Sequence, residues 1–315
     1  MGRSALLAFY RAIWRLTWRR QLVLVALSLA VAGLAAAPLR LQQEIINHLV
    51  AAGAVATLAW LCAGYLGVVA LSGGLKFALS FLTAGVGERM VRLIRGRVFG
   101  RTVEQEPQAR VSRGTLVTMT SAEAEGVGAF AGAAIAAPVL QIGTLISVIG
   151  FIAASQPELG LIALAVIVPQ VVIVVVIQAR INRAARARTR KLRDASDRLS
   201  AGDLARIEAE VMADYDDILT IRLRIYALKL STKFLQNLIS AVGTAGILLL
   251  GGWFVLEGRT DTGTVVASLS GLTRLEGPWR ELVAFYRQAS ITRVNYEMLV
   301  EAFVGSPATR GDRGT

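Results

Sequence analysis

The side chains best placed for chemistry are Arg274, Glu276, Arg280, Glu281 and Arg287, which interrupt an otherwise apolar stretch at about 262–289. Ionisable groups surrounded by apolar sequence face a water-filled cavity or one another, because exposure to lipid costs several kcal/mol. Glu276 and Arg280 also stand four apart, the spacing of an ion pair on one helix face. Two readings stay open: Arg274, Glu276, Arg280 and Glu281 line a cavity, or the helix runs on into water and solvates them. A second cluster, Asp214, Tyr215, Asp216, Asp217 and Ile218, offers an aromatic ring with an acidic rim. On residue types alone it reads as a solvated acidic turn capping neighbouring helices.

Other chemistries are excluded by residue type. The chain has one cysteine, Cys62, and one histidine, His48. An intrachain disulfide and a Cys/His zinc site are therefore impossible, and we expect no metal site and no catalytic residue. A Ser-His-Asp triad would have to use His48, which is expected in a short solvated loop, while Cys62 is expected as a small side chain packed against lipid or against a helix. No Gly-Lys dipeptide occurs, so the chain lacks the loop whose backbone amides and lysine hold nucleotide phosphates. The +12 net charge invites a nucleic-acid reading. That reading fails on placement, since the basic residues border apolar runs instead of forming a separate basic module. Thirty of the 34 basic residues are arginine, which hints at a GC-rich bacterial genome.

The elements that must position these groups are long and apolar. The 315 residues are 54% apolar and 18% charged, with mean hydropathy +0.55, too little charge to clothe a soluble globule. About 20 apolar residues cross a bilayer core. Residues 21–39, 49–75, 126–157, 159–179 and 234–256 form such windows, and 262–289 is counted as a weaker sixth. Residues 1–20 hold five arginines, no acid, and Phe9, Tyr10, Ile13, Trp14, Leu16 and Trp18, the composition of an amphipathic interfacial helix. A cleavable signal peptide is not expected, because the first apolar run is of spanning length and no small-residue cleavage site follows it. Residues 304–315 are expected to form a flexible tail.

Charge orients the chain. Thirty-two of the 34 basic residues fall before the first window, at 76–125, at 180–233 or from 274 onward, leaving Arg40 and Arg259 for the opposite side. Both termini and both long connections are thus expected in the cytoplasm. The outer connections are short, at 156–158 and 257–261. The inner ones keep helical periodicity: Ile181, Ala185, Leu192, Ala195, Leu199, Leu204, Ile207 and Val211 recur at steps of three and four, with a slip near Gly202. Val91, Ile94 and Val98 continue the second window in the same way. Helices that protrude on one side, linked there in pairs, make a platform for something cytoplasmic. Gly128 and Gly132, spaced as small-xxx-small, signal close helix packing.

This pattern, from about Phe9 to Phe303, resembles the transmembrane domain of an ATP-binding cassette exporter. Arg113-Gly114-Thr115-Leu116-Val117-Thr118 with Glu123 resembles the first intracellular loop of that family, with Met119 for the usual Arg and Glu123 for the usual Asp. Gln156-Pro157-Glu158-Leu159, followed by Pro169 and a basic helical run, resembles the hairpin between the third and fourth spans. Residues 251–278 resemble the turn between the fifth and sixth spans and the proline-bearing sixth span. Leu71-Ser72-Gly73-Gly74 spells the start of the family's ATPase signature, but Leu75 follows and the stretch is apolar, so it reads as helix packing.

The resemblance implies an all-α membrane protein of six spans with long cytoplasmic extensions, and no ATP hydrolysis in this chain. It implies coupling helices at about 112–120 and 211–220, so that Arg113, Gly114, Thr115, Leu116 and the Asp214 to Ile218 cluster would contact a separate ATPase subunit that carries ATP and magnesium. A second transmembrane domain, as homo- or heterodimer, and a bacterial inner membrane are also implied. The alternatives are a proton-driven, ATPase-independent transporter of the SbmA/BacA-like type, with Glu276 or Glu281 as titrating carboxylate, and a degenerate domain serving as a membrane scaffold.

Overall fold

The computed structural model describes residues 2–104, 124–201 and 204–304. Among them every regular element is helical: α1 (Gly2–Gly33), a 3₁₀ turn (Leu34–Ala36), α2 (Ala37–Val50), α3 (Val55–Glu104), α4 (Ala124–Ala133), α5 (Ala136–Ser155), α6 (Pro157–Ala201), α7 (Leu204–Leu256) and α8 (Thr262–Val304). At 1.5 Å per residue the 50, 45 and 53 residues of α3, α6 and α7 reach about 75, 68 and 80 Å, more than twice the roughly 30 Å of a bilayer core. Five segments are long and apolar enough to cross a membrane: Thr17–Val50, Val55–Arg97, Ala124–Ser155, Pro157–Ala185 and Val211–Leu256. The sixth expected segment is helical within α8 but is not among these five, because Arg274 and Glu276 dilute its apolar character.

The chain divides into two compact units, Met1–Phe151 with Arg274–Thr315, and Ile152–Thr273. In the first, α1, α2 and α4 pack on α3. The α3–α4 seam is closed by glycines. A Cβ at Gly132 would collide with the Thr83 carbonyl oxygen, and one at Gly128 with the Val91 side chain and, at 2.8 Å, its backbone nitrogen. The Gly128/Gly132 spacing thus does what the sequence predicted, letting two backbones approach. Ile13, Met90, Val127 and Phe130 form the adjoining core, with Tyr10 and Phe285 against it; the Phe130 and Phe285 rings stack at 5.4 Å.

Three expectations are revised. Residues 2–20 run without a break into the first apolar window as part of α1, and Ile13 is buried in the core while Trp14 and Trp18 are exposed. The third window is interrupted at Ala134 and Ile135, between α4 and α5. A buried polar group of α1 answers this break: Gln21 Nε2 donates at 3.2 Å to the carbonyl of Ala131, in the last turn of α4. Carbonyls of a last helical turn lack internal partners, and in an apolar setting they must find others.

The third revision concerns His48, which lies not in a solvated loop but in the last turn of α2. That helix ends in a Schellman closure: Gly53 N–H donates to His48 O at 3.0 Å and Ala52 N–H to Leu49 O at 3.1 Å. The His48 ring folds over Gly53, where any Cβ would meet it, and Nε2 lies 3.0 Å from the Ala54 carbonyl. Ala52 holds φ 49°, the left-handed conformation that favours glycine.

In the second unit α6 and α7 form a long antiparallel pair. Gln170, buried beside Pro169 in α6, donates from Nε2 to Ser240 Oγ of α7 at 3.0 Å. Two measurements check these packing arguments on protein purified in detergent. Thermal unfolding of Gly132→Ala should show a loss of about 1–3 kcal/mol, the usual cost of overpacking, while Gly150→Ala, where a Cβ meets nothing, stays near the parent. Ala52→Gly should gain about 0.5–1 kcal/mol by relieving the left-handed residue; a loss would show that the closure is not the native one.

Candidate functional site

Antiparallel pairing places the predicted acidic cluster at a defined point. The α6–α7 pair meets between Ala201 and Leu204, and Lys191 lies as far before that junction as Asp214 lies after it. Lys191 Nζ sits 3.3 Å from Asp214 Oδ1 and 2.8 Å from Asp217 Oδ2. Asp214 is buried and Lys191 only partly so, which makes the triad a clasp between the two helices near their shared end. The hydrogen bond to Asp217, then that to Asp214, holds the Lys191 ammonium above the ordinary lysine range.

The five clustered residues do not share one role. Val211, Asp214, Ile218 and Ile225 are buried on one face of α7, spaced by three, four and seven as a helix facing a neighbour requires. Tyr215 and Asp216 point outward, and Tyr215 is 42% exposed. The outward surface is therefore Tyr215 and Asp216, backed by the Lys191–Asp214–Asp217 clasp and the buried Ile218. Val211–Thr220 is not a separate short element crossing between two helices; it is continuous with the rest of α7. Arg113, Gly114, Thr115 and Leu116, with the whole 112–120 segment, lie outside the described residues, as do 305–315.

At the opposite end of the second unit, the turn after α7 is closed by Gly258 at φ 69°, with Arg259 N–H on Phe254 O at 2.8 Å and Gly258 N–H on Val255 O at 3.0 Å. The sequence placed this turn at 257–261, and Gly258 is where a Schellman closure needs a glycine. Arg259 lies over the Phe254 ring at 4.2 Å, pairs with Glu158 at 3.0 Å and reaches Glu257 at 3.6 Å. It ties the start of α6 to the end of α7. Asp261 Oδ1 accepts from Thr264 N–H at 2.6 Å and caps α8. Sequence reasoning missed the Arg259–Glu158 pair, whose members are far apart in the chain; the one available signal was that Arg259 is one of the two basic residues lying outside the charge clusters used to orient the chain.

On α8, Arg274 and Glu276 are half-buried and Arg280, Glu281 and Arg287 are exposed. Arg280 Nη2 lies 3.6 Å from Glu276 Oε2, and its Nε donates to the Glu276 carbonyl at 3.2 Å. The spacing-based ion pair is present. No group of three or more His, Cys, Asp or Glu side chains able to hold a metal occurs among the described residues.

The family described as the ABC transporter transmembrane region matches residues 22–200. No curated protein matches the chain at a significant level.

Two outcomes test the clasp. Asp214→Ala should cost about 1–3 kcal/mol in thermal unfolding by stripping a buried polar contact, whereas Tyr215→Ala, at an exposed position, should change stability by no more than about 0.5 kcal/mol. Because the lysine pKa is raised in the folded state, its contribution is complete below the ordinary value of 10.5 and is lost as pH rises through the higher folded value. The stability gap between the parent and Lys191→Met should therefore be present at neutral pH and close only on the alkaline side of 10.5; closure nearer neutrality would mean the ammonium is not held by these carboxylates.

Proposed function

We propose, from the premise that this chain belongs to the ABC transporter transmembrane-region family, that it is the permease subunit of an exporter-like transporter driven by a separate ATPase chain. The match spans more than half of the 315 residues, and five helices are of membrane-crossing length and composition. The chain is a multi-pass membrane protein and an ABC-type transport membrane subunit. The finer reading adds α8 as a sixth span, with its charged residues toward a passage formed by two transmembrane domains, and an inner membrane with both termini in the cytoplasm.

The observation that carries this reading is the α6–α7 pair. Its helices, 45 and 53 residues long, overrun the bilayer core by tens of ångströms, and near their junction an exposed Tyr215 and Asp216 stand on a buried Asp214 and Ile218. Such an end is stiff enough to transmit force and presents a side chain that fits a groove. ATP binding on the partner, with its magnesium, would draw the two ATPase subunits together. The helix ends would follow as rigid bodies, and the passage beside Arg274, Glu276, Arg280 and Glu281 would change the side to which it opens. The basic excess on the 180–233 segment supports a cytoplasmic position for this end.

Pull-down from native membranes tests the proposal. The parent chain should recover an ATPase of the phosphate-binding-loop type, and Tyr215→Ala should weaken that association about 30-fold, since aromatic anchors at interface centres are commonly worth about 2 kcal/mol or more. Unchanged recovery with Tyr215→Ala removes the coupling role of this residue. Uptake that follows a pH gradient with no ATPase present would replace the proposal with a proton-driven transporter, and neither flux nor nucleotide coupling would leave a membrane scaffold.

A further inference from the structure

A groove of about 360 Å³ runs between α1 and α3 within the first unit. Its lining is divided by chemistry along its length. Arg19 and Arg20 at the start of the first apolar segment and Arg89 near the end of the second all line it, so three arginines belong to the groove. Toward the membrane interior the walls are Val23, Phe81 and Leu82, all exposed. Among the described residues no carboxylate lines the groove. Arg19 lies 5.3 Å from the Trp18 ring centroid, the aromatic-basic pairing found at the level of lipid headgroups.

We propose that this groove binds an anionic glycerophospholipid, with its phosphate held by Arg19, Arg20 and Arg89 and an acyl chain lying along Val23, Phe81 and Leu82. The inference rests on the reading that the arginine-bearing ends of α1 and α3 lie at the cytoplasmic membrane surface, and not on any ATPase. Charge complementarity selects this occupant. Guanidinium groups bind phosphate oxygens through a planar fork of donors, and three of them without a carboxylate leave a positive field for an anion to fill. An inorganic phosphate would leave the apolar half of the groove uncovered. A second copy of a chain with net charge +12 would bring further positive charge toward the same arginines. A lipid satisfies both halves at once, and basic pockets between membrane helices at the cytoplasmic surface hold anionic headgroups in this way.

The test uses the full chain in neutral detergent with phosphatidylglycerol or phosphatidylcholine added, retained lipid being counted by native mass spectrometry. Phosphatidylglycerol should be retained in preference to phosphatidylcholine. Arg20→Gln and Arg89→Gln should each weaken its retention about fivefold and the double variant about 25-fold, from about 1 kcal/mol per basic side chain at an anionic surface. Arg222→Gln with Arg224→Gln, exposed positions on α7, should leave it unchanged. Gly85→Cys in a Cys62→Ser background supplies a second readout that keeps every arginine, since a Cβ at Gly85 meets nothing. Its maleimide labelling should slow with phosphatidylglycerol and not with phosphatidylcholine. Equal retention of the two lipids, retention indifferent to Arg20 and Arg89, competition by glycerol phosphate as strong as by intact lipid, or masking of the Gly85→Cys thiol by dimerisation in lipid-free detergent would each overturn the proposal. These readouts need no ATPase, so their failure leaves the coupling reading standing, and loss of ATPase recovery leaves the lipid site standing.

Discussion

Every feature of this molecule follows from the need to satisfy backbone hydrogen bonds where water is absent. A helix does so within itself, and a chain that is 54% apolar answers with rods of up to 53 residues instead of mixed layers. Where a rod must break, a side chain or the backbone itself completes the pairing: Gln21 at the α4–α5 interruption, and backbone Schellman closures at Gly53 and Arg259. Gln170 and Ser240 show the other placement of a polar side chain in an apolar segment, opposite a neighbouring helix that offers a partner.

The same constraint explains why interactions between helices are few and specific. In a bilayer the hydrophobic effect does not drive helix against helix, so association depends on close packing and on isolated polar links. The glycine seam of α3 and α4 is the first kind. The Gln170–Ser240 bond is the second, and outside the apolar windows the Lys191–Asp214–Asp217 clasp and the Arg259 cluster sit near opposite ends of the α6–α7 pair, fixing its register at both. A pair pinned at two ends can move as one body, which is what a device coupling one end to the other requires.

Much of this was legible in the residues. Period and length revealed α3, α6 and α7 as helices that overrun their apolar windows, and Gly128 with Gly132 announced a close approach, while the slip near Gly202 lies outside the described residues. What escaped were features set by distant partners. His48 looked like a loop residue because Arg40, Glu44 and the polar residues between them resemble a connection; the helix persists because its end is closed by backbone bonds that leave no compositional mark. The break at Ala134 and Ile135 lies inside a charge-free apolar run whose one signal is Pro138, a residue with no N–H to donate to the Ala134 carbonyl four positions back. The acidic cluster was visible as a group, but its division into inward Asp214 and outward Tyr215 depends on which face of α7 meets α6, and that is decided by Lys191, on the other helix.

The central claim is that the long ends of α6 and α7 stand on the cytoplasmic side and the Arg259 turn on the other. Labelling with a membrane-impermeant maleimide in right-side-out and inverted vesicles addresses it directly, using Met212→Cys and Glu257→Cys in a Cys62→Ser background, both positions being exposed. The account predicts that the Glu257→Cys thiol reacts only in right-side-out vesicles and the Met212→Cys thiol only in inverted ones. The reverse pattern, or reaction of both from the same face, would contradict it.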